Sequence, residues 1–311
     1  MKNQYISKFF SIFLGLFIVC VVCPPALAQD YQIDLVRGNV YRFTAGNYRS
    51  VFMTTDTGIV LSDPINKKAA TWLKQELTRR FDQPIRYVIY SHNHPDHVYG
   101  GEVFDGTGVQ FIAHQLARAD LVNTKAQTRI PNLVFKDEMV LYLGDSQVRL
   151  RYHGRNNGRG SISMLFEPAG VLHVVDWIVL GRMPYKDLQG YDIQGMIDST
   201  KEVLNMDFDV FVGGHAQTGQ KEDVQQYLGY LEALYNSVLE GVRAGKDLES
   251  LQKDIRLDAY SNLSMYEEWL PLNIQGVYQT LVDESYILKR PDVPAQKNSF
   301  LSTVRNSLGF R

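Results

Sequence analysis

Cysteine is nearly absent from this chain. The only two among 311 residues, Cys20 and Cys23, both lie in an apolar stretch at the amino terminus. With that stretch set aside, the sequence offers no disulfide, no thiolate ligand and no cysteine nucleophile. Any metal has to be held by His, Asp, Glu, Asn or water. Basic runs are missing too, and the formal charge is −2. Nucleic acid and anionic membrane surfaces are therefore not expected partners; a small-molecule substrate is, and oligomeric state stays open. No low-complexity segment and no solenoid-type repeat occurs.

Long hydrophobic runs are confined to Phe9 to Val22. That run is short for a bilayer span and stops at Pro24-Pro25. Lys2 and Lys8 precede it and Ala26-Leu27-Ala28 follow, so residues 1–28 read as a secretory signal peptide cleaved after Ala28. Neither cysteine fits a lipoprotein processing site, because Val19 and Val22 stand where a small residue is needed. Cleavage removes two lysines and no acid, which takes the charge from −2 to −4. The expected location is periplasmic or secreted, with no stable membrane anchor.

The chain as a whole has ordinary globular composition, 45% hydrophobic and 21% charged. Short strands are predicted over 39–45, 50–55 and 58–62, then a helix capped by Asn66 and running to Arg80, with Ala69, Trp72, Leu73 and Leu77 on its packing face. A strand over 85–90, another over 109–113 and a helix from Gln115 to about Lys125 follow. From Asn132 to Val175 the pattern is short strands and turns: 133–135, 139–143, 148–152, 161–166 and 171–175. A helix over 193–204 leads to a strand over 208–212. Two such blocks, filling 31–220, imply two sheets packed face to face with helices outside. Residues 221–311 read as a helical C-terminal extension, with helices over 224–242, 248–253 and 265–285 and a polar tail. Pro271 punctuates the last helix, and Tyr227, Tyr230, Leu231, Leu234, Tyr235 and Val238 form a packing stripe.

The chemistry is concentrated in Ser91-His92-Asn93-His94-Pro95-Asp96-His97. Three of seven histidines and one carboxylate fall within six residues, on a loop between a predicted strand and the Gly100-Gly101 turn. Imidazole and carboxylate suit zinc and neighbouring transition metals. His92 and His94 can face one side of an extended loop, while Asp96 and His97, offset by Pro95, reach another. Two adjacent metals need that division.

The string His92-x-His94-x-Asp96-His97 resembles the HxHxDH motif of the metallo-β-lactamase fold superfamily, and the resemblance extends from about Asn39 to His215. It implies an α/β four-layer αβ/βα sandwich, here with a C-terminal helical appendage. It also implies a metal-dependent hydrolase carrying zinc, one or two ions per chain, with iron as the other fit. The implied ligands are His92 and His94 at site one, Asp96, His97 and His215 at site two, and Asp176 bridging. Asp96 and Asp176 take the catalytic roles of orienting the nucleophile and passing its proton. Asn157 stands where the superfamily usually has a histidine, and it is a candidate weak ligand. Arg155 and Arg159 flank it and are candidate substrate-binding residues. An amide oxygen is a poorer zinc ligand than imidazole. Site one is therefore expected to be weaker, and β-lactamase activity ranks low.

Alternation along 148–153 places His153 with Arg149 and Arg151, which predicts a solvent-facing role. His173, among valines, is expected to be structural. His114 ends a strand, and Trp177 either lines the pocket or packs beneath it. Three functional readings stand. The first is an exported hydrolase using a metal-activated water on an ester, lactone, thioester, amide or phospho- or sulfo-ester. The alternative is an exported metal- or ligand-binding protein whose catalysis has decayed with Asn157, and a third is redox chemistry with iron.

Overall fold

Strands that are apolar at nearly every position need cover on both faces, and the computed structural model, which describes residues 31–284, supplies it in four layers. The signal peptide, both cysteines and the polar tail lie outside the described residues. The first sheet holds β1 (Tyr31–Arg37), β2 (Val40–Ala45), β3 (Tyr48–Thr55), β4 (Gly58–Ser62), β5 (Ile85–Ile89), β6 (Gln110–His114) and β7 (Leu133–Phe135) in chain order. Helix α1 (Lys67–Arg80) connects β4 to β5. The short α2 (Pro95–Val98) follows β5, and α3 (Gln115–Asn123) follows β6. Pairing is antiparallel from β1 to β4 and parallel from β4 to β7.

The second sheet contains β8 (Glu138–Leu143), β9 (Ser146–Tyr152), β10 (Ile162–Glu167), β11 (Val171–Val174), β12 (Val210–Gly213) and β13 (Thr218–Gly219). Helix α4 (Ile193–Leu204) crosses from β11 to its parallel neighbour β12. Beyond β13 come α5 (Lys221–Arg243), α6 (Leu248–Asp254) and α7 (Tyr266–Gln279).

Period-2 alternation divides each strand between two cores. In β4, Val60 faces the second sheet, while Ile59 and Leu61 face α1. In β10, Met164 and Phe166 fill the space between the sheets, and Leu165 joins the outer core under α4 and α5. That outer core runs without interruption into α7 through Tyr227, Leu231, Trp269 and Ile274. The C-terminal helices thus share a core with the second sheet.

Asn66 caps α1 by accepting the Ala69 N–H at 3.0 Å. Besides the short α2 and β13, which the sequence reading did not include, two elements differ from it. The strand β1 is polar at Gln32, Asp34 and Arg37 and lies at a sheet edge, so it carries little hydrophobic signal. Pro271 does not interrupt α7. The carbonyl it leaves unpaired belongs to the exposed Glu267, where water can satisfy it, and Pro271's own carbonyl accepts from Gln252 Nε2 at 2.9 Å.

One buried amide ties the C-terminal helices to the sandwich. Asn273 on α7 is fully buried. Its Nδ2 donates to the carbonyls of Pro184 (3.1 Å) and Lys186 (2.6 Å), and its Oδ1 accepts from Tyr230 on α5 (2.7 Å). Removing it strands three polar groups, two of them in fully buried bonds. Asn273→Ala is expected to cost about 1–3 kcal/mol, read as a lowered urea midpoint at unchanged m-value.

Candidate metal centre

Parallel pairing puts the carboxyl ends of β4 and β5 at one rim of the first sheet, and those of β11 and β12 at the facing rim of the second. Four loops leave the strands there, and they carry Asp63, His92 to His97, Asp176 and His215. A backbone bond from Arg49 N to Gly214 O (2.8 Å) and a bridge between Tyr48 and His215 lock the rims together. Six residues named from the sequence, His92, His94, Asp96, His97, Asp176 and His215, meet in this one place.

Asp176 is the centre of the cluster. Its Oδ2 lies 3.0 Å from His92 Nε2 and 3.1 Å from His94 Nδ1. Its Oδ1 lies 3.1 Å from His215 Nε2 and 3.3 Å from His97 Nε2. His97 Nε2 is in turn 3.1 Å from His215 Nε2 and 3.7 Å from Asp96 Oδ2. Each oxygen of one carboxylate therefore faces its own pair of imidazoles. Donor atoms of His92, His97 and Asp176, and of Asp96, His97 and His215, lie close enough within each set to hold a cation.

The local field demands positive charge. Burial opposes ionisation of Asp176, yet His97 and His92 beside it hold its carboxyl well below the usual range. Burial disfavours a charged His97 as well, but the Asp176 carboxylate outweighs this and raises it to about 9. His92 goes the other way, to about 4, through burial and the neighbouring His94. His92 Nε2 and Asp176 Oδ1 are buried without a hydrogen-bond partner. A shared carboxylate, converging imidazoles and orphaned polar atoms are what a divalent cation with N and O ligands satisfies, so the residues fit a metal.

Backbone strain gathers here too. Asp176 (φ 70°) and Ala216 (φ 57°), the residue after His215, are in the left-handed region that side chains avoid.

The loop around Asn157 needs correction. Asn157 is buried at the site-one side, but its Nδ2 donates to Asp176 Oδ2 at 3.4 Å, while its Oδ1 accepts from Ser161 Oγ at 2.8 Å. The amide meets the centre as a donor. Arg155 and Arg159 do not line the cleft. Both are exposed, and Arg159 is paired with Asp120 on α3 through Nη2 to Oδ1 at 2.5 Å. His153 is likewise not solvent-facing. The strand β9 ends at Tyr152, so alternation no longer applies at 153. The ring turns inward between Glu202 Oε2 (2.9 Å) and Ser163 Oγ (2.7 Å). His173 is buried with Nδ1 2.8 Å from the Val212 carbonyl. His114 caps α3 and contacts the Lys136 carbonyl. Trp177 packs beneath the site, fully buried.

Two features were missed in the sequence. Asp63 is fully buried at the end of β4. Its Oδ1 accepts the Ser91 N–H at 2.8 Å, and its Oδ2, without a hydrogen-bond partner, lies 3.7 Å from His97 Nδ1. Burial raises its pKa to about 6, against the lowering influence of His97. An acid just past a strand that is apolar up to Ser62 was the available signal. The second is a cleft of about 950 Å³ beside His94, Asp96 and Asp176, walled by Tyr48, Arg182, Tyr185 and Tyr191 and, from the C-terminal helices, Met265 and Trp269.

Asp63 orients the His97 ring by facing its far nitrogen. Asp63→Asn keeps the acceptor for Ser91 and loses the charge behind His97. Metal affinity is expected to fall about 10- to 100-fold with the fold retained, measured by competition with a chromogenic chelator.

Comparison with known proteins agrees with this geometry. A family model described as the metallo-beta-lactamase superfamily matches residues 55–215, a little over half of the chain and the stretch from β3 to the last histidine. The chain is similar to the alpha subunit of 2,4-dinitroanisole O-demethylase from Nocardioides sp. (strain JS1661), 23% identical over 232 residues, covering 73% of this chain and 70% of that protein. It is also similar to the beta subunit, 23% identical over 225 residues, covering 70% and 69%. The solved structure of a metallo-beta-lactamase from Pontibacter korlensis shares the fold with a TM-score of 0.59 at 16% identity, covering 65% of this chain and 99% of its own. The four-layer sandwich, the converging ligand loops and the family match together make this chain a member of the metallo-beta-lactamase superfamily.

Proposed function

We propose that this protein is an exported metal-dependent hydrolase that cleaves an ester, lactone, thioester, amide or phospho- or sulfo-ester bond of a small molecule. The observation that carries the reading is the Asp176 carboxylate, with one oxygen toward His92 and His94 and the other toward His97 and His215. Zinc, or iron, is the cofactor this donor set suits. Bound there, such a cation would supply a water acidic enough to ionise near neutral pH.

The chain's own residues supply the rest. His92, His94, His97 and His215 would hold the cation through ring nitrogens, with the Asp176 carboxylate between the two pairs. Asp63 holds the His97 ring. Asp96, with 44% of its side chain exposed, stands at the cleft mouth, where it can take the proton of the attacking water and return it to the leaving group. The reaction needs no protein nucleophile. Export rests on the sequence of residues 1–28; among the described residues no helix is long and apolar enough to cross a membrane.

The aromatic wall of the cleft favours a second reading. Tyr48, Tyr185, Tyr191 and Trp269 suit a flat ring, and the two curated relatives are named as O-demethylase subunits acting on 2,4-dinitroanisole. Aryl ether cleavage therefore belongs in any substrate panel beside the ester-like bonds.

Asn157 borders site one, with its Nδ2 facing Asp176 Oδ2. Ser161 Oγ can donate or accept, so the amide can turn its oxygen toward the centre without losing its partner. The purified protein is expected to contain one to two equivalents of zinc or iron by elemental analysis, and to hydrolyse at least one member of the panel in a chelator-sensitive manner. A folded, metal-loaded protein inert toward the whole panel would instead support a binding role. Asn157→His places an imidazole beside Asp176 Oδ2 and is expected to raise metal stoichiometry toward two; unchanged stoichiometry would remove Asn157 from the ligand set.

A further inference from the structure

Outside the metal cluster, the outer cleft carries more cations than acids. Arg49, Arg182 and Lys186 line it, against one acid outside the metal cluster, Asp187. Arg49 is partly committed, donating through Nη1 to the carbonyls of Gly46 (2.8 Å) and Tyr48 (3.0 Å). Arg182 and Lys186 form no ion pair with any described residue within salt-bridge distance. The Arg182 guanidinium lies 5.4 Å from the Trp269 ring centroid, and its Nε is buried without a hydrogen-bond partner. Lys186 Nζ lies 5.1 Å from the Tyr185 ring.

A half-buried guanidinium without a carboxylate is costly to keep unless a partner arrives to use it. Contact with an aromatic ring limits its motion and leaves the N–H edge for a planar anion. The backbone holds it in place. Gly181 to Met183 pair with Ser264 through Ser264 N to Gly181 O (3.0 Å) and Met183 N to Ser264 O (3.1 Å). Asn273 grips the carbonyls of Pro184 and Lys186 just beyond. Trp269, Ser264 and Asn273 all lie outside residues 55–215, so this wall is added to the sandwich that the family match covers.

We propose that Arg182, supported by Lys186, is the specificity-determining residue that binds an anionic group, first of all a carboxylate, on a substrate whose flat apolar body lies against the exposed Tyr185 ring, with Trp269 packed behind Arg182. The proposal rests on the hydrolase reading of the cleft and names its substrate class. The anion is fixed at the outer wall while the reacting bond extends toward Asp96 and Asp176.

The test is equilibrium binding of 2-naphthoate, 2-naphthamide and naphthyl-2-phosphonate to the full mature chain, followed by tryptophan fluorescence and by calorimetry. It is run with native metal and again after chelator treatment. Binding of naphthoate at least tenfold tighter than naphthamide is expected, surviving chelation. Arg182→Gln should weaken naphthoate at least tenfold and leave naphthamide within about twofold, and Arg182→Lys should restore part of the loss. The phosphonate separates a general oxyanion site, where it binds like naphthoate, from a carboxylate-selective one, where it binds more weakly; both support Arg182. Equal affinity for acid and amide in the unaltered protein overturns the proposal, and that arm needs no variant to fold. Loss of naphthoate binding on chelation with no effect of Arg182→Gln overturns it as well, by assigning the anion to the metal. Anion-selective binding without turnover of any panel substrate defeats the hydrolase reading alone, whereas turnover without anion selectivity defeats this proposal alone.

Discussion

Everything at the functional edge of this protein depends on one carboxylate shared between two pairs of imidazoles. Asp176 can do this because it sits in a left-handed turn at the end of β11, directly across the rim from the loop after β5. Two sheets packed face to face bring those loops together, and the bond between Arg49 and Gly214 keeps the sheets in register there. In a buried setting the carboxylate and the imidazoles are strongly coupled. Positive charge beside Asp176, a proton on His97 or a bound cation, offsets its buried carboxylate.

The C-terminal helices give the site its second half. They share a core with the second sheet, and through Asn273 and the pairing of Ser264 with Gly181 and Met183 they fix the loop that carries Arg182 and Lys186. The candidate metal ligands come from the sandwich common to the superfamily, and the wall of the cleft beside them comes in part from the extension. That division fits the general rule that chemistry stays with the fold while recognition is set by added loops and helices.

Much of the architecture was legible along the chain. The helix over 193–204 and the strands over 58–62 and 133–135 were readable because apolar periodicity and flanking turn residues agreed. The edge strand β1 was not, since a polar strand with little burial lacks that signal. The histidine loop was legible because its ligands are adjacent in sequence. Asp63 was not, since a lone acid before a proline is usually a turn residue, and only its burial against His97 distinguishes it. His153 was misplaced because alternation was extended one residue past the end of β9. Arg155 and Arg159 were placed near the metals by proximity to Asn157, but a flexible side chain follows its best carboxylate, and for Arg159 that is Asp120.

The sequence by itself determined the ligand chemistry: imidazole and carboxylate without thiolate, clustered on one loop at the end of a strand. Local pattern is enough for that, because residue type and spacing are written directly in the chain. Which oxygen of Asp176 faces which histidine, how the Asn157 amide points, and which arginine stands free in the cleft were decided only by tertiary structure. Each of those depends on groups tens to more than a hundred residues apart, and their distances are set by how the sheets and helices pack.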